Sequence, residues 1–290
     1  MSFEIDGFFS PELERFREAV RATEPFKSWF DYALGLNRIG FDLLRQATSP
    51  ATDPRLFAMH ANFVRAHQSF QSALLLAERG LVPDTRTLVR SGVESAIALH
   101  ALANDAAFID KMIEAHHMHQ RKVARIVLDT PGYLDGYAPA EVAAMHAAIA
   151  EADALEASLA AAAIAAANSA GAVPKKRKLQ DIEWASTAMK YCPDLYQLLY
   201  RSMSSDGTHA TINSLNRFVE ADATGRITAF KVAPDTTGLV EAISAACLLF
   251  IWSAGPFAGA FDRPDVSAEL SNRIQLFAQL PGAFPRRDAA

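Results

Sequence analysis

One stretch constrains the fold most: residues 81–104, LVPDTRTLVRSGVESAIALHALAN. Its large apolar side chains recur at helical spacing and are interleaved with Ala and Gly, which predicts a helix packed closely by others at the centre of a bundle. Arg86, Arg90 and Glu94 follow one another at intervals of four, so they share one stripe of that helix. Because an unpaired buried charge is very unfavourable, these side chains must pair with one another or line a cavity.

The rest of the chain is predicted to be helical as well. Apolar periodicity and helix-end signals predict main helices near residues 55–79, 83–104, 106–129, 140–167, 194–218 and 237–261. Residues 224–232 alternate like a strand, which allows at most one short β-hairpin. We therefore predict an all-α fold in which residues 1–290 form one domain, a bundle of about eight to ten helices with its core at about 55–262.

Residues 242–261 carry no charge and meet the length criterion for a membrane-spanning helix. Ser, Gly and Pro dilute their apolar character, and no cluster of Lys or Arg flanks them. We expect a buried helix that breaks at Gly255-Pro256, and no membrane. The same segment also suits an interface between copies, and we expect a homo-oligomer.

The net charge, the cysteines and one basic segment limit the cellular location and the partners that we expect. The net charge of −5 argues against a general nucleic-acid coat, although it leaves room for a local basic groove. Cys192 and Cys247 are far apart and lack metal-ligand spacing, which suggests a reducing cytoplasm; no signal peptide is recognisable. Residues 168–178, NSAGAVPKKRK, are predicted to form a flexible basic linker loop, which suits contact with RNA or an acidic partner.

A second polar cluster lies in residues 196–213, where Tyr200 and His209 flank an Asp-Gly break. Together with Arg90 and Glu94 of the first stretch, Tyr200 and His209 suggest an acid–base site. Arg90 would bind an anionic group, Glu94 would orient Arg90 or His209, His209 would act as acid or base, and Tyr200 would be a second donor. The alternative is that the same side chains satisfy one another inside the core, and the break leaves the direction of His209 undetermined.

The candidate ligand contacts overlap with the candidate catalytic residues only at Arg90. Arg86 shares the charged stripe of Arg90, and Ser204 precedes the break. His67 lies on the neighbouring predicted helix. We predict that these four side chains contact a small anionic or phosphate-bearing ligand.

Two motifs carry a resemblance to a known family. They are Asp84-Thr-Arg-Thr-Leu-Val-Arg90-Ser-Gly-Val-Glu94 and, about a hundred residues later, Tyr200-Arg-Ser-Met-Ser204-Ser-Asp-Gly-Thr-His209. The chain resembles, over residues 55–218, the bacterial domain-of-unknown-function family 5677. The resemblance implies an all-helical fold and draws attention to Arg90, Glu94, Ser204 and His209, but it implies no activity.

A looser likeness is to the HEPN nucleases of prokaryotic defence systems, which use an Arg-x(4–6)-His motif to cleave RNA without metal. Arg55 and His60 have that spacing, although the polar residue usual after the Arg is missing. Glu114-x-x-His117 has the spacing used in di-iron bundles, but such a site needs two of these motifs and further carboxylates. We therefore predict no metal and no cofactor.

Three functions follow from these observations. The first is a helical binding or regulatory protein with a polar pocket for a small anionic ligand. The second is a metal-independent ribonuclease or toxin. The third is an interaction scaffold without a pocket, for which residues 242–261 would supply the surface.

Overall fold

The structure is a computed structural model that describes residues 3–48, 52–173, 177–203 and 215–282. The helices are α1 (Phe3–Asp6), α2 (Glu12–Ala22), α3 (Phe26–Gln46), α4 (Pro54–Ala77), α5 (Val82–Asn104), α6 (Phe108–Asp129), α7 (Pro139–Ser169), α8 (Trp184–Tyr191), α9 (Pro193–Leu195), α10 (Arg201–Met203), α11 (Leu239–Ala260) and α12 (Pro264–Phe277). A π-helical turn (Tyr196–Tyr200) joins α9 to α10, and two strands, β1 (Val219–Ala221) and β2 (Ile227–Phe230), precede α11.

The predicted all-α fold with one short β-hairpin is confirmed. Helix α4 begins where a cap and a first-turn proline indicate, because the Asp53 carboxylate accepts the backbone N–H groups of Arg55 and Leu56 at 2.9 and 3.0 Å. In the hairpin, Val219 lies opposite Phe230 in an antiparallel pair. The predicted helix over 194–218 is therefore wrong at its end, since the chain after residue 215 passes through a 3₁₀ turn into β1.

The Cα positions divide the chain into two compact units. The first consists of residues 1–104 and 184–290, and the second of residues 105–183. The single-domain organisation stays a prediction.

The core of the first unit lies between α3, α4, α5 and α11. Its aromatic side chains are fully buried, and the rings of Phe63 on α4 and Phe257 on α11 stack with centroids 4.3 Å apart. Burial of one such side chain contributes about 1.5–3 kcal/mol. Trp29 and Leu36 of α3 are buried too, so the core begins before residue 55.

Helix α5 is central in this unit, as its small residues indicate. It packs against α4, α8 and α11. A Cβ atom on Gly92 would lie 2.5 Å from Cδ2 of Leu249, well inside van der Waals contact. The glycine therefore allows α11 to approach α5 more closely than an alanine would.

Helix α11 does not break at Gly255-Pro256, contrary to the prediction. Pro256 has no N–H, so the carbonyl of Trp252, four residues earlier, loses its helical donor. His100 of α5 supplies a replacement, because its Nε2 donates to the Trp252 carbonyl oxygen at 3.0 Å. The helix thus continues through the proline with its freed acceptor satisfied.

The same helix has the length and composition of a membrane span. Its mean hydropathy is 1.6 over the most apolar window, and 67% of that window is buried inside the protein. A core helix of a bundle meets the same criterion, and this burial matches the expectation of a buried helix.

The second unit contains the helix pair α6 and α7. Arg121 of α6 donates to Asp153 and Glu156 of α7 at 2.7 Å each. Arg177, in the predicted flexible linker, donates to both carboxylate oxygens of the buried Glu114 at 2.7 Å, so this end of the linker is held against α6. Residues 174–176 of the linker lie outside the described part of the chain.

Candidate functional site

A cavity of about 470 Å³ lies in the first unit, where α5 and α11 begin and where the chain leaves the β-hairpin. The volume is within the range of small-molecule sites, which is roughly 300–1,000 Å³. Its walls are formed by Phe8, Gly80, Leu81, Val82, Pro83, Asp84, Arg86, Phe218, Lys231, Ala233, Asp235, Thr237, Gly238 and Glu241.

Two glycines shape this cavity because both have positive φ angles, +71° at Gly80 and +73° at Gly238. A Cβ atom on Gly238 would lie 3.1 Å from Nη2 of Arg86, so the glycine leaves room for the guanidinium beside the start of α11. A Cβ atom on Gly80 would lie 2.8 Å from the backbone nitrogen of Asp235. Both turns thus bring distant segments together at the cavity wall.

The described walls carry charges of both signs. Arg86 is buried, with 7% of its surface exposed. Lys231 pairs with Asp235 at 3.1 Å, and Asp235 also accepts the backbone N–H and the hydroxyl of Thr237 at 2.9 Å each. Burial opposes ionisation of Asp235, but the Thr237 hydrogen bonds and the Lys231 charge hold its pKa below the usual value, so the carboxylate is ionised at neutral pH.

This arrangement suits a molecule with an apolar body and an anionic group. Phe8, Phe218 and residues 81–83 at the start of α5 supply apolar wall, and Arg86 and Lys231 supply positive charge. The N-termini of two long helices, α5 and α11, also open onto the cavity, and helix N-termini attract anions. The carboxylates of Asp84 and Glu241 limit the number of negative charges that the site tolerates.

Three of the four predicted catalytic residues come together, one turn along α5 from Arg86. Arg90 donates to Glu94 at 2.8 Å, and its guanidinium carbon lies 3.7 Å from the centroid of the Tyr200 ring. The ring of Tyr196 stacks on that of Tyr200 with centroids 5.4 Å apart. Arg90 and Glu94 of the stripe on α5 therefore pair with each other, and Arg90 holds the π-helical turn against α5.

Tyr200 is a donor rather than a base in this setting. Burial raises the pKa of its hydroxyl; the Arg90 charge opposes this shift, and Glu94 and Tyr196 add to it. The phenol is therefore protonated at neutral pH. The fourth predicted catalytic residue, His209, and the predicted ligand contact Ser204 lie outside the described residues.

The structure does not bring His67, a predicted ligand contact, to the cavity. His67 is 2% exposed, and its Nε2 donates to Oδ1 of Asn37 at 2.9 Å. Its ring lies among the rings of Phe41, Phe63 and Phe250. Burial lowers its pKa to about 4, so the imidazole is neutral and forms part of the core.

The Arg-x(4–6)-His motif lies on α4, and both side chains have structural contacts. The Arg55 guanidinium donates to the carbonyls of Leu102 and Ala103 at the end of α5, at 2.6 and 3.3 Å. The His60 ring packs edge-on against Phe257. Arg55 therefore acts as a cap for α5, and the ribonuclease hypothesis stays a prediction.

The Glu-x-x-His motif provides one carboxylate that is already engaged, since Glu114 pairs with Arg177. Among residues 3–48, 52–173, 177–203 and 215–282, no group of three or more His, Cys, Asp or Glu side chains has the arrangement to hold a metal ion.

Sequence reasoning identified Arg86 but missed the rest of the cavity. Lys231 follows strand β2 directly, within the stretch predicted to be a strand, and Asp235 and Glu241 flank the start of α11. Phe8 comes from the far end of the chain. The one local signal was the Lys-x-x-x-Asp spacing after a strand, which by itself does not show that these residues meet Arg86.

Comparison with known proteins gives one match. The model of a family described as a family of unknown function (DUF5677) matches residues 56–226. No curated protein and no solved structure matches the chain significantly.

Proposed function

The chain belongs to the family of unknown function DUF5677, and because that description carries no activity, we propose a function from the cavity alone: the protein binds a small ligand that has an anionic group on an apolar body. The observation that carries this proposal is the buried guanidinium of Arg86 in the wall of a cavity of about 470 Å³. The planar guanidinium carries five N–H donors in a fork that matches a carboxylate or a phosphate, which suits it to an anionic occupant of the cavity.

The remaining walls fit the rest of such a ligand. Aromatic and aliphatic side chains, including Phe8 and Phe218, can cover an apolar body, and Lys231 at the rim can contact the anionic group. Lys231 is more exposed than the buried Arg86, so solvent screens its charge more and its contribution to binding is smaller.

We assign Arg90, Glu94 and Tyr200 a supporting role rather than a catalytic one. Arg90 lies one helical turn, about 6 Å, from Arg86 on α5, and it pairs with Glu94 and with the ring of Tyr200. By holding the π-helical turn on α5 they keep the helix that presents Arg86 in place. The binding or regulatory function predicted from the sequence is thus retained, with its pocket at Arg86.

The proposal is tested by titrating the purified protein with phenyl phosphate, which has an anionic group on an aromatic body. We expect binding with a Kd below about 1 mM. Lys231→Met should weaken binding by about tenfold, and Arg86→Met by up to roughly 100-fold, since hydrogen bonds to charged groups contribute about 1.5–3 kcal/mol.

A matched control is Lys27→Met, which removes another Lys–Asp pair of the same i,i+4 spacing, with Asp31, away from the cavity. This variant should bind phenyl phosphate as the parent protein does. Circular dichroism establishes whether Arg86→Met folds, and Lys231→Met keeps the test valid if it does not. Equal binding by Lys231→Met and Lys27→Met, or no binding at millimolar concentration, would refute the proposal.

A further inference from the structure

A second cavity, of about 580 Å³, lies in the first unit among α2, α3 and the C-terminal half of α4. Four side chains with amide or hydroxyl groups line it: Asn37 of α3, and Gln68, Gln71 and Ser72 of α4. The residues in its wall all differ from those in the wall of the Arg86 cavity. Polar groups that converge in a cavity of this size are typical of a small-molecule site, and we call this one the amide cavity.

The Asn37 amide is held in one orientation. Nε2 of His67 and Nε2 of Gln71 both donate to its Oδ1, at 2.9 Å each. Turning the amide over would place its N–H groups against these donors, so the observed orientation is fixed. In the part of the chain that the structure describes, no group accepts from Nδ2 of Asn37 or donates to Oε1 of Gln71. These atoms are therefore available to an occupant of the cavity.

The donor and the acceptor are arranged before any ligand arrives. His67, which holds the Asn37 amide, is buried among aromatic rings. Gln71 lies one turn further along α4 and is held by its own hydrogen bond to Asn37. Side chains that are already ordered lose less conformational entropy on binding. The two amides thus form a preorganised hydrogen-bonding edge.

The rest of the wall suits an uncharged molecule with apolar faces. Its two charged residues, Arg21 and Glu78, pair with each other at 3.0 Å, and the Arg21 guanidinium lies 5.1 Å from the centroid of the Phe30 ring. Leu34 and Leu75 are 41% and 54% exposed, so they leave apolar surface that an occupant can cover. Shape and charge together favour a flat ring with a polar edge.

We propose that the amide cavity binds a nucleobase by its hydrogen-bonding edge. Adenine and uracil each carry an N–H donor beside an acceptor on that edge, and proteins read such edges with Asn and Gln amides. Nδ2 of Asn37 donates to the acceptor of the base, and Oε1 of Gln71 accepts from its N–H group. Leu34 and Leu75 cover the faces of the ring, as apolar side chains do for an unstacked base.

Other classes of ligand fit this wall less well. A carboxylate or a phosphate has only acceptors, so it would face the Gln71 carbonyl oxygen without a donor. A purely apolar molecule would cover both amides and leave their groups without partners, which is unfavourable. The site is independent of the function proposed for the Arg86 cavity, because the ligand there is an anion.

The first test titrates the full-length protein with adenosine and with uridine, which are both uncharged. We expect at least one of them to bind with a Kd of about 1 mM or below. N6,N6-dimethyladenosine and 3-methyluridine, in which methyl groups replace the donor, should bind roughly tenfold more weakly because the hydrogen bond to Gln71 is lost. Absence of binding by both nucleosides at millimolar concentration, or equal binding by the methylated analogues, overturns the proposal.

The second test locates the nucleoside. Gln71→Met should weaken binding by roughly tenfold, and Gln120→Met is the matched control, since Gln120 is also half-buried on a helix but lies in the second unit. Circular dichroism checks that both variants fold. Gln71→Met should bind phenyl phosphate as the parent does, and Lys231→Met should bind nucleosides as the parent does. Nucleoside binding that Lys231→Met weakens and Gln71→Met leaves unchanged would place the nucleoside in the Arg86 cavity and overturn the proposal.

Discussion

Replacing His100 by phenylalanine tests whether α11 depends on a donor from α5 to continue through Pro256. The substitution keeps an aromatic ring beside Trp252, where the two ring centroids are now 5.4 Å apart, but it removes the Nε2 donor. The Trp252 carbonyl would then have neither its helical donor nor its replacement. An unsatisfied buried acceptor costs about 1–3 kcal/mol, and this is the expected loss in the free energy of unfolding.

A double-mutant cycle with Pro256→Ala tests whether His100 compensates for the proline. Alanine restores the N–H that donates to the Trp252 carbonyl within the helix, so His100→Phe should cost less in that background, by about 1 kcal/mol or more. Urea denaturation of the four proteins gives the coupling free energy directly. If the two substitutions are additive to within about 0.5 kcal/mol, His100 does not compensate for the proline and the explanation is wrong.

Two further predictions concern stability. Because the pKa of His67 is about 4 in the folded protein and about 6.5 when unfolded, the unfolded chain binds more protons between these values. The free energy of unfolding should therefore fall by about 2 kcal/mol from pH 7 to pH 5 through this residue, and a urea series in which His67→Gln has the same pH slope as the parent would contradict this. Gly238→Ala should destabilise the protein by about 1–2 kcal/mol at φ +73° and also weaken phenyl phosphate binding, because its Cβ would displace Arg86. Gly225→Ala, also at positive φ but with nothing within 4 Å of the new Cβ, should cost stability without affecting binding, and equal binding by the two variants would count against the cavity geometry.

The position of Arg86 also explains why the charged stripe of α5 divides into two roles. Arg90 meets Glu94 on its own helix, at the spacing that favours such pairs. Arg86 lies instead in the wall of a cavity that α11 helps to form. The two arginines of one stripe thus have different environments, because the start of α11 lies beside Arg86 and the π-helical turn lies beside Arg90.

The sequence by itself determined the features that depend on nearby residues. Apolar periodicity located the long helices, and Asp53-Pro54 marked the start of α4, because capping and helical hydrogen bonds join residues within one turn. The small residues of α5 indicated its central position for the same reason: the space that a helix leaves for its neighbours depends on its own side chains.

Tertiary structure decided everything that depends on which helix faces which. His100 donates to the backbone carbonyl of Trp252, 152 positions later in the chain, and for that reason α11 continues where its local sequence predicts a break. Phe8, Arg86 and Lys231 meet only because the turns at Gly80 and Gly238 bring three segments together. Local periodicity shows that a side chain faces inward, but the partner that it meets there depends on how the helices pack, and packing is a property of the whole chain.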